Sequence, residues 1–405
     1  MAVEQCGATC NVAMLSVHSS PFGRLGTQDT GGMSVYVREM AKQLGESGHQ
    51  VDIFTWRPSP DEPTVQVVSK NVLLVLIQPL GVHDKPEKEQ LWHYGNGCAH
   101  EIDSYRQQNG REYQVIHSNY WISALLGNLL ARRWRCPHVV SFHTLAAAKT
   151  AVVKNHRESE VRLAAEHRLM TGGDLLLAPT AAEEARYRQL GATNIVRVPC
   201  GVDIAHFIPA TDRKKKETAE LLFVGRFDGM KGVEVLLAAL RTLLKRRPAR
   251  LTLIGGDGID SASHWRLQNM AEEFGVHESL RYLGPVPHES MADHYGRADC
   301  LVISSHYESF GLTVLEALAC GVPVAATRVG ISAEILAPGR NGWLAEPGDH
   351  DGLAEAVDQC LAIAQRAEPA TIRATVTGFA WPVVAERLLD AYLQALQQRE
   401  GNQET

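Results

Sequence analysis

The run HYESFGLTVLEALACGVPV, residues 306–324, holds two carboxylates eight positions apart, Glu308 and Glu316. Ionised carboxylates only accept hydrogen bonds, so the pair suits a ligand rich in hydroxyls. The Ser-Phe-Gly step between them reads as a passage from loop into helix near Phe310, with Gly311, Leu312 and Thr313 in its first turn. A helix start presents unpaired N–H groups and a positive dipole end to an anion. That placement puts Glu308 in the loop and Glu316 about two turns inside the helix. The chemistry implied is an extended ligand that carries both hydroxyls and phosphates and is gripped at two points.

A cationic element lies about eighty residues upstream. In VGRFDGMKG, 224–232, Arg226 and Lys231 are interleaved with Gly225, Gly229 and Gly232. Arg offers a planar fork of donors and Lys a mobile point charge, a combination suited to a diphosphate. A third loop, GTQDTGGMSVYVREM (26–40), has the glycine pair Gly31 and Gly32, through which backbone can approach a ligand closely. Neither it nor LIGGDG (253–258) is GxGxxG, so a nicotinamide or flavin fingerprint is absent. LIGGDG reads as a strand-end turn near the ligand.

These loops need elements to hold them. Apolar strand-like runs occur at 11–17, 51–56, 71–78, 114–119, 138–143, 175–180 and 194–199, with helical patterns such as Ser34 to Glu46, Trp121 to Arg133 and Glu158 to Leu169 between them. The polar, charged stretch 209–220 reads as a linker. The alternation restarts at 221–225, 251–255, 280–284, 300–304 and 323–328, with a one-sided apolar helix at 233–247. Alternation of this kind predicts an α/β chain with two doubly wound parallel sheets. Ligands of such sheets bind at the carboxyl ends of the strands, which predicts a cleft between the domains.

Composition narrows the class. A chain of 405 residues exceeds the usual size of one core. A net charge of −6 argues against a nucleic-acid partner. The eight cysteines form no CxxC pair, and the close pair Cys6 and Cys10 reads as thiols on a mobile N-terminus, so no metal site is expected. Residues 1–10 lack the pattern of a secretory signal, and no apolar run is long enough to span a bilayer. The expected location is cytoplasmic.

Taken together, ESFGLTVLE, VGRFDGMKG and DTGGMSVYVREMAKQLGESGHQVDIFT resemble the E-x7-E motif, diphosphate loop and glycine loop of the retaining GT-B glycosyltransferases, family 4. The similarity extends over residues 11–396, including a C-terminal stretch, FAWPVVAERLLDAYLQAL, that resembles the family's closing helix. HSNYWISALLG (117–127), SFHTLAAAKT (141–150) and ESEVR (158–162) are similar to one branch of the family. That branch holds the mycothiol-pathway inositol-phosphate N-acetylglucosaminyltransferases and, more loosely, the sucrose-phosphate synthases.

The resemblance implies a first, acceptor-binding domain at 1–208, a second, nucleotide-sugar-binding domain at 209–379, and a segment at 380–405 that crosses back. It implies that Gly32, Gly225, Phe310, Gly311, Leu312, Thr313 and Glu316 bind the donor, with Glu316 on the ribose. Glu308 would hold donor-sugar hydroxyls, Arg226 and Lys231 the diphosphate, and the His143 carbonyl would lie beside the reacting carbon. Lys88, Tyr120, Thr144 and Arg162 would hold an acceptor phosphate, with Ser34 beside them. Two positions depart from the branch: Ser34 replaces an Asn, and Val286 stands where an Arg lies near the nucleobase.

The implied reaction moves a sugar, with retention, from a nucleoside diphosphate sugar, UDP-linked, to a hydroxyl of a phosphorylated acceptor such as inositol phosphate. No cofactor or metal is required in that picture, and a homodimer is compatible with it. Three alternatives remain open: transfer to fructose 6-phosphate, a nucleotide-sugar epimerase or hydrolase on the same fold, and a peripheral lipid glycosyltransferase. The last draws on the basic LLARRWRCPH, 129–138, because basic amphipathic stretches can lie on anionic bilayers.

Overall fold

A computed structural model describes residues 9–23, 31–59, 61–82, 85–152, 157–211 and 217–401. Its strands are β1 (Asn11–Leu15), β2 (Gln50–Trp56), β3 (Val65–Ser69), β4 (Val72–Ile77), β5 (Val115–Asn119), β6 (His138–Ser141), β7 (Leu175–Ala178) and β8 (Ile195–Arg197) in the first half. The second half has β9 (Ala219–Val224), β10 (Ala249–Ile254), β11 (Leu280–Gly284), β12 (Cys300–Ile303), β13 (Val324–Thr327) and β14 (Gly342–Ala345).

They form two sheets, ordered β3-β4-β2-β1-β5-β6-β7-β8 and β11-β10-β9-β12-β13-β14. Every pairing is parallel except β3 with β4. The central strands are buried on both faces, for instance Val12, Ala13, Met14 and Leu15 in β1, each at 0 % exposure. Strands covered by helices on both sides read as unbroken apolar runs, and this is why the runs were legible.

Two strands differ from the expected set. β3 is the antiparallel edge of the first sheet, where Val67 is 81 % exposed. β14 is the far edge of the second and opens on Gly342. An edge strand pairs on one side only and needs no continuous apolar run. Of the cysteine pair, Cys6 lies outside the described residues. Cys10 is anchored, because its N–H donates to His49 Nδ1 (3.1 Å) and its carbonyl accepts from Gln50 (2.9 Å).

The chain passes between the sheets twice, side by side. The Val202 N–H donates to the Phe379 carbonyl (2.8 Å), and the Trp381 N–H returns to the Val202 carbonyl (3.3 Å). The helix Trp381–Gly401 then packs on the first domain. Tyr392 Oη meets His117 Nδ1 at 2.8 Å, and Arg399 donates to the Cys136 carbonyl at 2.8 Å. Trp381 is 4 % exposed and lies tight against Gly201, where an added Cβ would come within 2.4 Å of the indole.

The basic stretch near residue 133 is tied down locally. Asp103 accepts from Arg106 (3.0 Å), Arg133 (3.3 Å) and the Trp134 indole (2.8 Å), while the Trp134 ring stacks on Tyr113. Among the described residues no helix is long and apolar enough to cross a membrane.

Trp381 fills the double crossing, so Trp381→Ala is expected to cost ~3–5 kcal/mol, the usual range for an emptied tryptophan site. Urea unfolding followed by circular dichroism checks this. A loss under about 1 kcal/mol would mean that the crossing does not depend on the indole.

Candidate active site

The loops at the carboxyl ends of β1, β5 and β6 face those of β9, β10, β11 and β12 across a cleft of about 430 Å³. The predicted residues Gly32, Lys88, Tyr120, His143, Thr144, Gly225, Arg226, Lys231, Glu308, Phe310, Gly311, Leu312, Thr313 and Glu316 all line it. The turn at Gly255 and Gly256 lines it as well.

On the second-domain wall, Lys231 Nζ lies 2.6 Å from Glu308 Oε1, which also accepts from Ser305 Oγ at 2.7 Å. No donor among the described residues reaches Glu308 Oε2, so that oxygen is available to a ligand. Lys231 sits where it does because the two loops are stitched together. Ser304 Oγ donates to the Lys231 carbonyl (2.8 Å) and the His306 N–H to the Met230 carbonyl (2.8 Å). Gly232 permits this. Its φ is 59°, and an added Cβ would stand 2.3 Å from the Ser304 carbonyl oxygen. Arg226 is half exposed and pairs with Asp228 at 3.0 Å.

The helix Leu312–Ala319 starts at Gly311, whose φ of 104° a side chain would resist, and no side chain caps its first turn. Gly311, Leu312 and Thr313 line the cleft at this positive end. Glu316 lies four residues past Leu312, one turn into the helix rather than two, because the helix begins later than Phe310. It is 6 % exposed and held at both oxygens, by Tyr295 Oη at 2.6 Å and His288 Nε2 at 2.9 Å.

On the opposite wall the backbone is strained. Tyr120 has φ 77° and His143 φ 60°, both left-handed for non-glycine residues. The Thr144 N–H closes a three-residue turn around His143 onto the Phe142 carbonyl at 2.7 Å. His143 Nε2 meets Asn119 Oδ1 at 2.8 Å, which fixes the proton on Nε2. Burial pushes its pKa down to about 3. The Tyr120 ring lies between the Lys88 ammonium (4.5 Å), the Arg162 guanidinium (5.0 Å) and the His18 ring (4.4 Å).

Two predicted residues stand back from the cleft. Arg162, 3 % exposed, donates to Glu166 (2.7 Å), Glu158 (2.9 Å) and the Thr144 carbonyl (2.8 Å). Its guanidinium therefore braces the Tyr120–Thr144 wall from behind. Ser34 is fully buried in its helix, with its hydroxyl 3.2 Å from that of Ser19. A shorter side chain in place of Asn turns inward.

His18 and His288 line the cleft and were missed. His18 follows β1 at the carboxyl end, the position that the topology marks for ligands. It is 4 % exposed, its Nδ1 has no partner among the described residues, and burial together with Lys88 lowers its pKa. His288 follows β11 in the same way. Among the described residues no group of three or more His, Cys, Asp or Glu has the arrangement of a metal site.

Two parallel sheets facing across a cleft, linked by a double crossing, define the GT-B architecture. Residues 31–201 match the "Glycosyl transferase 4-like domain" and residues 206–375 match "Glycosyl transferases group 1". The chain is 33% identical over 407 residues to a D-inositol 3-phosphate glycosyltransferase of Corynebacterium urealyticum, covering 94% of this chain and 95% of that protein. It is 36% identical over 405 residues to the protein of that name from Corynebacterium jeikeium, covering 94% and 96%. Among solved structures, sucrose-phosphate synthase from Thermosynechococcus elongatus superposes with a TM-score of 0.86 at 28% identity, covering 96% of this chain and all of that one. The chain belongs to the group 1 glycosyltransferases with a 4-like N-terminal domain, and it is a glycosyltransferase.

His117, fully buried, has a pKa pushed down to about 3 like that of His143, by burial and then by His143 and His138. Unfolded histidines titrate near 6.5, so below that pH the unfolded chain takes up protons that the folded one refuses. Their contribution to stability is whole above pH ~6.5 and is lost toward pH 3, at up to ~1.4 kcal/mol per pH unit for each ring. Imidazole NMR signals of both rings are expected to stay flat from pH 8 to 5. A midpoint above 5 for either ring would contradict the burial argument.

Proposed function

We propose that this glycosyltransferase moves a sugar from a nucleoside diphosphate sugar, UDP-linked, to a hydroxyl of a phosphorylated polyol of the inositol phosphate class, with retained anomeric configuration. One observation carries the reading. A single cleft holds a diphosphate-type cradle on one wall, made of Arg226, Lys231 and the Gly311 helix start, and a separate cationic, hydroxyl-bearing cluster on the other, made of Lys88, Tyr120 and Thr144. The names of the similar proteins, D-inositol 3-phosphate glycosyltransferases, support the acceptor class.

In this reading the chemistry is charge management at the leaving group. As the glycosyl–oxygen bond breaks, negative charge grows on the diphosphate, and Lys231, Arg226 and the helix dipole stabilise it. Glu308 Oε2 accepts from donor-sugar hydroxyls, and Glu316 accepts from the ribose. The His143 carbonyl, held by its strained turn, faces the electron-poor anomeric carbon. The departing phosphate oxygen takes the acceptor proton on the same face, so no protein base is used. Lys88 and the hydroxyls of Tyr120 and Thr144 hold the acceptor phosphate, with His18 beside them and Arg162 adding charge from behind Tyr120.

Fructose 6-phosphate is the second acceptor reading. It is favoured by the likeness to sucrose-phosphate synthase, and by Ser34, which presents no side chain to the cleft.

Lys231→Ala is expected to lower kcat about 100- to 1000-fold with unchanged circular dichroism, as loss of one charge-stabilising donor does. An unchanged kcat would remove Lys231 from the reaction. Lys88→Ala is expected to raise the acceptor KM at least tenfold with kcat within a few-fold. A matrix of three donors (UDP-glucose, UDP-N-acetylglucosamine, GDP-mannose) against inositol phosphate, fructose 6-phosphate and no acceptor, read as nucleoside diphosphate release, separates the acceptor readings. Release at full rate without acceptor would instead favour hydrolysis.

A further inference from the structure

We infer that His288 is a positioning residue for the donor: it aims the Glu316 carboxylate into the cleft and ties that carboxylate to the crossing between the domains. The inference deepens the reading above and rests on its assignment of Glu316 to the donor ribose.

Glu316 cannot orient itself. It lies one turn inside a short helix, 6 % exposed, and a carboxylate there needs partners for both oxygens. Tyr295 fills one lone pair on Oε2 and His288 one on Oε1, at 2.6 and 2.9 Å. Each oxygen has a second lone pair, so the carboxylate can still accept from two hydroxyls while its plane is fixed. A ribose 2′,3′-diol presents such a pair.

His288 is itself placed by rigid parts. It opens the tight turn His288–Ser290 immediately after Gly284, Pro285, Val286 and Pro287, and the two prolines fix their own φ. Pro285, Val286 and His288 all line the cleft, so this one loop reaches both the nucleotide pocket and the carboxylate. On its other side, His288 borders a crevice of about 160 Å³ at the domain crossing, which Arg38, Asp203 and His206 also line.

Phe207 makes the tie to the crossing. Its ring, 1 % exposed, meets His288 edge-on at 5.4 Å and Tyr295 edge-on at 5.9 Å. It therefore packs on both residues that hold Glu316. Arg373 donates to the carbonyls of Phe207 and Ile204 in the connecting segment. It also donates to the Ala319 carbonyl (2.8 Å), at the end of the helix that carries Glu316. The connection between the domains and the ribose carboxylate are thus one packed unit.

The charges around His288 set its pH response. Burial pushes its pKa down, but Glu316 at hydrogen-bond distance and Glu289 push it up, against Arg38 from the first domain, and the net shift is upward. Below that raised pKa both partners of the bond to Glu316 carry charge. As pH rises through it, the imidazolium charge is lost and only the carboxylate's remains, so the bond weakens and the cleft loses a positive charge. Donor affinity therefore decreases as pH rises.

The test uses the full chain and calorimetric titration of UDP-glucose, GDP-mannose and ADP-glucose without acceptor, carried forward with whichever binds most tightly. Their diphosphate diesters do not titrate between pH 6 and 8.5. Wild-type affinity is expected to fall roughly three- to tenfold over that range. His288→Ala is expected to bind about tenfold more weakly at pH 6, as for a lost charged hydrogen bond, with donor KM raised and kcat within threefold. His288→Gln, which keeps a neutral donor, is expected to recover part of the affinity and to give a flat pH profile. Thermal unfolding of each variant confirms the fold.

The inference is overturned if His288→Gln keeps the wild-type pH dependence, or if His288→Ala binds like wild type while Glu316→Gln binds weakly. If no nucleotide sugar binds, or Glu316→Gln binds like wild type, the donor-site reading itself fails and the inference with it.

Discussion

The second-domain wall depends on the contact between Lys231 and Glu308. The pair is mostly buried, with side-chain exposures of 20 % and 15 %, and its 2.6 Å separation joins the loop after β9 to the loop after β12. Breaking one half of such a pair leaves an uncompensated charge, which costs more than the pair contributes when whole. The surrounding bonds from Ser304 and His306, and the close approach of Gly232, leave the loops no other register. In the proposed reading, a diphosphate in the cleft meets an ammonium already fixed in place and competes with Glu308 for that charge. A cation with no such partner would be better solvated and less ordered, and the cost of ordering it would fall on the binding step.

The first-domain wall is organised on a different principle. It stores backbone strain at Tyr120 and His143 and offsets it with hydrogen bonds from behind. Asn119 holds the His143 ring, Arg162 holds the Thr144 carbonyl, and Glu166 accepts from the Ala146 N–H at 2.9 Å. The charged pair Arg162–Glu166 thereby sets the path of the turn that presents His143 and Thr144. One wall offers pre-placed charge and the other pre-placed backbone. This division is what the proposed reaction asks for, with charge placed at a leaving polyanion and backbone placed at the acceptor.

The sequence was most legible where burial is complete. β1, β5, β9 and β12 read as apolar runs, and the loops that follow them carry most of the cleft. Glu308, Lys231 and Gly311 were read into a cleft that they do line, because the motif couples residue type with position at a strand end. The edge strands β3 and β14 were not legible, since a strand paired on one side can be polar or short. Arg162 and Ser34 were assigned by likeness to a motif. Motif position does not say whether a side chain points into the cleft or into the layer behind it, and both point behind. His18 and His288 were overlooked for the opposite reason: neither belongs to a charged cluster in sequence, and each gains its place in the cleft from strands that only the fold brings together.

The contacts between the two domains are unequal. At the crossing, Trp381, Phe207 and Val202 are buried to 4 % exposure or less, and backbone bonds join the two chain segments. Elsewhere along the cleft apolar and polar contacts are mixed: Met230 and Tyr307 of the second domain are buried in the first domain's apolar cluster, among polar contacts. The exposed Glu334 accepts from the Ala181 N–H at 2.6 Å, the Arg186 guanidinium lies 5.1 Å from the Tyr307 ring, and Gly32 approaches Leu312. Glu183, buried beside Arg186 and Tyr307, has its pKa pushed up to about 7, because burial outweighs the arginine. Separating the walls there uncovers Met230 and Tyr307, whereas separating them at the crossing exposes a tryptophan and a phenylalanine and breaks the paired backbone bonds. Phe207 lies at the crossing, packed on both His288 and Tyr295, so the residues that hold Glu316 share the contact that joins the two domains.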